Sequence, residues 1–182
     1  YGADGRPITD QDGVAGIARE YDSQGNETRV AYFNKDGKAT VHKDGFASFA
    51  REYNERGAAI RQVFFDAEGR PTVHKDGYAA VVWEYNERGE AIRQVFFDTE
   101  GRPAVHRDGY AGVAREYNDR AQVTRMAYFG RDGNPAMHID GFAVVEWDYD
   151  DRGNKTREAY FDADERPAMQ KDGYASLQRK YD

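Results

Sequence analysis

The sequence predicts an all-β fold, an elongated tandem stack of β-hairpins (a solenoid-like repeat array) with a 32-residue repeat. Three observations predict it. Tyrosine recurs at Tyr21, Tyr53, Tyr85, Tyr117, Tyr149 and Tyr181, each 32 residues from the last, and a fixed period of that size marks a repeat architecture. Three polar clusters punctuate every period, nearly all of them closed by glycine. The runs between them are short and rich in Val, Ile, Tyr and Phe, without the 3.6-residue periodicity of a helix.

The unit from Tyr85 to Glu116, YNERGEAIRQVFFDTEGRPAVHRDGYAGVARE, shows the elements in order. Asn86-Glu87-Arg88-Gly89 is the first turn, Ala91–Phe97 a strand, and Asp98-Thr99-Glu100-Gly101 the second turn. A short segment, Pro103–His106, leads into the third turn, His106-Arg107-Asp108-Gly109, and a second long strand covers Tyr110–Tyr117. Asp or Asn opening a type I turn, with Gly in fourth place, fits a three-residue hairpin loop closed by a bulge. Glycine suits that place because the backbone there takes positive φ. Ala121 breaks the rule in one first turn and Glu165 in one second turn, each at a cost on the order of 1 kcal/mol.

All five prolines (Pro7, Pro71, Pro103, Pro135, Pro167) start the short segment. Proline cannot donate a ladder hydrogen bond, which makes this segment a connector and leaves two strands per unit. A three-sided β-solenoid is the alternative. It stacks like charges about 4.8 Å apart, against about twice that for hairpins, and the regular Arg and Glu columns favour the hairpins. The whole chain, 1–182, reads as one array: a partial repeat at 1–20, full repeats at 21–52, 53–84, 85–116, 117–148 and 149–180, and the start of another at 181–182. Tyr1 matches Phe33, and the first residue is not Met, so the chain reads as a piece of a longer protein carrying further repeats.

Pairing Asn86 with Glu90 across the first turn sets Ala79 opposite Phe97, Val81 opposite Val95 and Trp83 opposite Arg93. The Ala79 and Phe97 columns are invariant within the chain, and small against large at one level fills a core, so this face is the expected core. The same register opposes Arg51 to Arg61, an unfavourable pair. A one-residue slip pairs Glu84 with Arg93 instead, but in a simple two-residue turn it puts Arg88 at positive φ.

Composition excludes several functions. Net charge is −7 and no basic run occurs, which argues against nucleic acid and anionic membrane as partners. No apolar run reaches the roughly 18 residues of a membrane span. Cysteine is absent, so neither disulfides nor thiolate metal sites are available. Phosphate loops, nucleophile elbows and zinc-protease motifs are missing, and Ser23, Ser48 and Ser176 do not recur beside a histidine. Any carboxylate pair is repeated in every unit, whereas catalysis needs one singular pocket. No catalytic residue and no cofactor are expected.

YDSQGNETRVAYFNKDG (21–37) and YDDRGNKTREAYFDAD (149–164) share Tyr-Asp, then Gly-Asn, then Thr in the same spacing. These stretches resemble the YD repeats of bacterial Rhs proteins and teneurins, over about half of each unit. The aromatic hairpins also resemble cell-wall-binding repeats of bacterial surface proteins. The resemblance implies a β-sheet array in a large secreted or surface-exposed bacterial protein, wrapping a cargo or binding outside the cell.

Two sets of columns are candidates for function. The four histidines, His42, His74, His106 and His138, share one column that begins with Asp10 and ends with Gln170. A metal reading adds Asp44, Asp76, Asp108 or Asp140, but histidines of stacked hairpins lie about 9–10 Å apart, too far to share one ion. The competing reading is turn chemistry. For calcium, position 12 counted from Asp162 is Gly173, not the required Glu. The second set is aromatic: Phe46, Tyr78, Tyr110, Phe142 and Tyr174 on one long strand, with Tyr32, Phe64, Phe96, Tyr128 and Tyr160 on the other. Left partly exposed, these rows would stack on sugar rings of a glycan or cell-wall polymer, or anchor a protein. Covered by the Pro-Xaa-Val-His connector, they would form a small core. The function expected first is therefore a non-catalytic scaffold or interaction segment, then a glycan-binding module, then a metal-binding array.

Overall fold

The computed structural model describes residues 9–181. Tyr1 and Pro7 of the partial first repeat, and Asp182 at the other end, lie outside the described residues. Among those described there is no helix, so none is long and apolar enough to cross a membrane. Eleven strands form one sheet of consecutive antiparallel hairpins in sequence order. They are β1 (Gly16–Tyr21), β2 (Glu27–Phe33), β3 (Ser48–Tyr53), β4 (Ala59–Phe65), β5 (Ala80–Tyr85), β6 (Ala91–Phe97), β7 (Gly112–Tyr117), β8 (Val123–Phe129), β9 (Val144–Tyr149), β10 (Lys155–Phe161) and β11 (Ser176–Gln178). Sequential antiparallel neighbours rule for the hairpin stack over the three-sided coil. Contacts gather into two compact units, one holding the chain up to Val82 with Phe96–Arg102, the other holding Trp83–Val95 with the chain from Pro103 on.

The turns follow from their opening side chains. Asn86 Oδ1 accepts the N–H groups of Arg88 and Glu90 at 3.0 and 2.9 Å, and Asp98 Oδ1 accepts those of Glu100 and Arg102, both at 2.9 Å. The fifth residue complements the first: Asn26 donates to Asp22, whereas Asn118 donates to Gln122, at 2.9 Å each. Ala121 and Glu165, at φ 61° and 60°, are the non-glycine residues with positive φ among the described residues, as the turn assignment requires.

The register differs from the expectation, and both features of the sequence survive. Tyr53 pairs with Ala59 next to the turn, then a β-bulge shifts the ladder so that Glu52 pairs with Arg61, Arg51 with Gln62 and Phe49 with Phe64. The same shift recurs in β1–β2, β7–β8 and β9–β10. The three-residue turn keeps glycine at positive φ, and the bulge absorbs one residue before regular pairing resumes. Like-charge pairing is thereby removed: Arg61 meets Glu52 at 2.8 Å and Arg51 donates to Gln62 at 2.6 Å.

This slip also relocates the core, because one residue of slip turns every side chain to the other face. The Val81 column now shares a face with the aromatic row: Phe49 faces Phe64, Val113 faces Tyr128 and Val145 faces Tyr160. Of those positions all but the half-buried Tyr128 are buried, as are Ala47, Ala79, Ala111 and Ala143, while Phe33, Phe65, Phe97, Phe129 and Phe161 are half-buried on the reverse face. The connector covers the core face. Thr40, Thr72, Ala136 and Ala168 donate backbone N–H groups to the carbonyls of Tyr32, Phe64, Tyr128 and Tyr160 at 2.9–3.0 Å. Its residues alternate as in a strand, Ala104 and Ala168 inward, Val41, Val73, Val105, Met137 and Met169 outward and exposed.

Candidate functional site

The ten aromatic residues singled out by sequence are brought together, but as core. Phe46, Phe64, Phe96, Phe142 and Tyr160 are buried; Tyr32, Tyr78, Tyr110, Tyr128 and Tyr174 are half-buried. In the first unit Phe46 lies 4.7 Å from Phe64, Tyr78 lies 4.5 Å from Phe96, and Tyr32 stacks on His42 at 5.0 Å. In the second, Tyr110 lies 4.6 Å from Tyr128, Phe142 4.8 Å from Tyr160, and Tyr160 5.9 Å from Tyr174. These tilted and edge-on contacts use the ring faces that a sugar would need. The expectation of a partly exposed row gives way to the covered one, because the connector's inward alanines and histidines lie over the rings.

The histidine column has a common chemistry with its odd members. Nδ1 of His42, His74, His106 and His138 accepts the backbone N–H two residues on, from Asp44, Asp76, Asp108 and Asp140, at 3.1–3.3 Å. Asp10 Oδ1 does the same for Asp12 at 2.9 Å, and Gln170 Oε1 for Asp172 at 3.0 Å. What the position demands is an acceptor that closes the turn, plus, in four units, a flat ring to stack in the core. No cluster of three or more metal-ligating side chains occurs among the described residues.

The third turns are tied to each other. The N–H of Lys75 donates to the Asp44 carbonyl at 2.8 Å, Ile139 to Asp108 at 2.7 Å and Lys171 to Asp140 at 2.8 Å. Lys75 Nζ also reaches Asp44 Oδ1 at 2.6 Å, and Lys171 Nζ reaches Asp140 Oδ1 at 2.8 Å. That ammonium holds the Asp44 carboxyl below the ordinary carboxylate range. Tyrosine ties the first turns: the hydroxyls of Tyr53, Tyr117 and Tyr149 donate to the carbonyls of Glu27, Ala91 and Val123, 26 residues back, at 2.7–2.8 Å. The periodic tyrosine is thus a strut between neighbouring hairpins.

Two faces remain. The reverse face carries a shallow groove of about 260 Å³ in the first unit, lined by Arg61, Val63, Pro71 and Phe97 among others, and one of about 290 Å³ in the second, lined by the corresponding Arg125, Ala127 and Pro135. The core face continues past the connector as a polar row. In the second unit Arg115 donates to Gln94 at 3.3 Å and pairs across the strands with Met126; Trp147 pairs with Glu158; and Lys155 Nζ lies 4.6 Å over the Trp147 ring.

No family model matches this sequence, and no curated protein matches it. Solved structures similar to it include a chain of the one described as "Crystal Structure of TcdB2-TccC3-Cdc42", with 12% identity and a TM-score of 0.22, over 85% of this chain and 10% of that one. This chain therefore spans about a tenth of the length of its structural neighbour. The fold stated above rests on the strand order, not on that likeness.

Proposed function

We propose that this chain is a non-catalytic β-hairpin repeat module, a scaffold and interaction segment of a larger bacterial protein displayed outside the cell, of the kind YD repeats form. The observation that carries the reading is the use made of the recurrent side chains. Imidazole, tyrosine hydroxyl and third-turn aspartate are each engaged in closing a turn or joining one hairpin to the next. Grooves recur at corresponding positions in the two units, so neither is the singular pocket that catalysis calls for. The burial of the ring rows weighs against a glycan platform built on them, and the turn-closing role of the histidines weighs against a metal array. Location and family rest on the resemblance of the first and last full repeats to YD repeats.

A module of this kind tolerates loss of a whole unit, since nearest-neighbour contacts carry its stability. Deleting residues 85–116 joins Glu84 to Tyr117, which then occupies the place of Tyr85. The expected product is soluble, keeps a β-type circular dichroism spectrum, and melts cooperatively at a lower temperature than the parent. A deletion product without β structure would refute the modular reading.

A further inference from the structure

Within one chain of near-identical units, a column that changes chemical class while the backbone stays the same is not dictated by folding. Three such columns meet on the core face beyond the connector. In the second unit they read Trp83, Arg115, Trp147, Arg179; Gln94, Met126, Glu158; and Ala91, Val123, Lys155. Their charges are three cations against one carboxylate, in a chain whose net charge is −7. At one of the two tryptophans that replace arginine in the first column, a cation is retained from another column. Trp147 replaces the arginine of its column, and there Lys155 replaces the small or apolar residue of its own, laying its ammonium over the indole. The β7–β8 hairpin, the β9–β10 hairpin and the segment just after β11 therefore each present one cation: Arg115, Lys155 and Arg179.

None of the three is neutralised in full. Arg115 donates to the neutral Gln94 at 3.3 Å, Lys155 rests on a ring, and Arg179 lies 3.7 Å from Glu158, whose other contact is the Tyr160 hydroxyl. In the first unit the corresponding pair, Arg19 and Arg51, closes on Glu27 at 3.0 and 3.6 Å, so the opening for an anion is in the second unit.

We propose that Arg115, Lys155 and Arg179 form a docking strip for an extended acidic polypeptide segment with a carboxylate at every third residue. This rests on reading the chain as an interaction module and names the partner's chemistry. The pitch argues for the period. Arg115, Trp147 and Arg179 stand on β7, on β9 and just after β11, two strands, about 9–10 Å, apart. Lys155, carried by β10, joins this spacing through its ammonium over Trp147, and three residues of extended chain span about 10 Å. A peptide crossing the strands thus brings a carboxylate to each cation in turn. The occupied ring favours a peptide over an acidic glycan: Lys155 covers Trp147, leaving ammonium, guanidinium and the Gln94 amide as the groups on offer, which suit carboxylates and backbone carbonyls.

The test uses the full chain and a fluorescein-labelled peptide of four Glu-Gly-Ser triplets, read by anisotropy at low ionic strength. Binding is expected, weakening with added salt, and a peptide of the same composition with its glutamates in one block should bind several-fold more weakly. The combined R115Q, K155Q and R179Q variant should lose about tenfold in affinity, from three solvent-accessible charge pairs, and E158Q should gain. Trp fluorescence should change on binding as Lys155 leaves the Trp147 ring. Circular dichroism melting of the triple variant shows whether it is folded; were it not, the single K155Q variant with the fluorescence readout replaces it. No anisotropy change, equal affinity for the periodic and block peptides, or displacement of neither by salt would overturn the proposal. So would binding of a sulfated oligosaccharide in place of the peptide. Its failure leaves the repeat-deletion result untouched, which separates the two readings.

Discussion

Gly109→Ala isolates the contact that stacks one third turn on the next. Gly109 has φ 102°, and a Cβ placed there would sit 2.9 Å from the Met137 carbonyl oxygen and 3.8 Å from the Ile139 nitrogen. Two costs follow. A left-handed alanine is disfavoured by about 1–2 kcal/mol. The carbonyl must also retreat, which strains the neighbouring Ile139 N–H to Asp108 carbonyl bond of 2.7 Å, worth about 0.5–1.5 kcal/mol. The sum is about 2–3 kcal/mol. Gly133→Ala supplies the control, because Gly133 has φ 80° and nothing within 4 Å of a built Cβ, so only the backbone term of about 1–2 kcal/mol applies. The loss of unfolded-chain freedom on replacing glycine is common to both and cancels. Thermal melting followed by circular dichroism should place Gly109→Ala below Gly133→Ala by about 2–4 °C for a chain of this size. Equal melting temperatures, or the reverse order, would refute the claim that stacked turns hold the repeats together.

Ala121→Gly should raise the melting temperature by a few degrees, since it relieves φ 61° at an exposed turn; an unchanged or lower value contradicts the turn assignment. Glu165→Gly relieves φ 60° but removes the 2.7 Å pair with Arg125, so its stabilising effect should be larger in high salt than in low, as comparative melts would show. His138→Phe keeps a ring for Phe142 and Tyr128 but takes away the acceptor for the Asp140 N–H. The expected loss in denaturant unfolding is about 1–3 kcal/mol. Burial pushes the Tyr128 phenol up to about 12 from an ordinary 10.0. Its folded value thus exceeds the unfolded one, so the stabilisation is whole below pH 10 and drains as pH rises toward 12. Absorbance at alkaline pH should show a tyrosine fraction that ionises only near that upper limit, together with unfolding.

The repeat, the turns and the identity of the elements were legible in the sequence because each is set within a few residues. Asn86, Asp98 and Gly89 fix their loops through local hydrogen bonds and one backbone angle, and Ala121 and Glu165 stood out as exceptions for the same reason. The register was not legible. The Asn86 turn and the Glu84–Arg93 pairing looked incompatible, and only a bulge reconciles them. The cost of that bulge is repaid by contacts across strands that no local pattern displays. With the register went the face: Phe97 rather than Phe96 looked like core, because an even step along a strand says which residues share a face but not which face is covered.

Sequence alone therefore determined a tandem array of β-hairpins, its period, its turns and the places where it departs from itself. Tertiary structure decided what lies over the sheet. The connector folds onto the aromatic row, turns the histidines into turn-closing acceptors, and leaves Arg115, Lys155 and Arg179 beyond its cover, on β7, on β10 and just after β11. The physical reason is distance along the chain. Turn chemistry acts within four residues, whereas the covering of a face and the alignment of a charge row join residues a whole repeat or more apart.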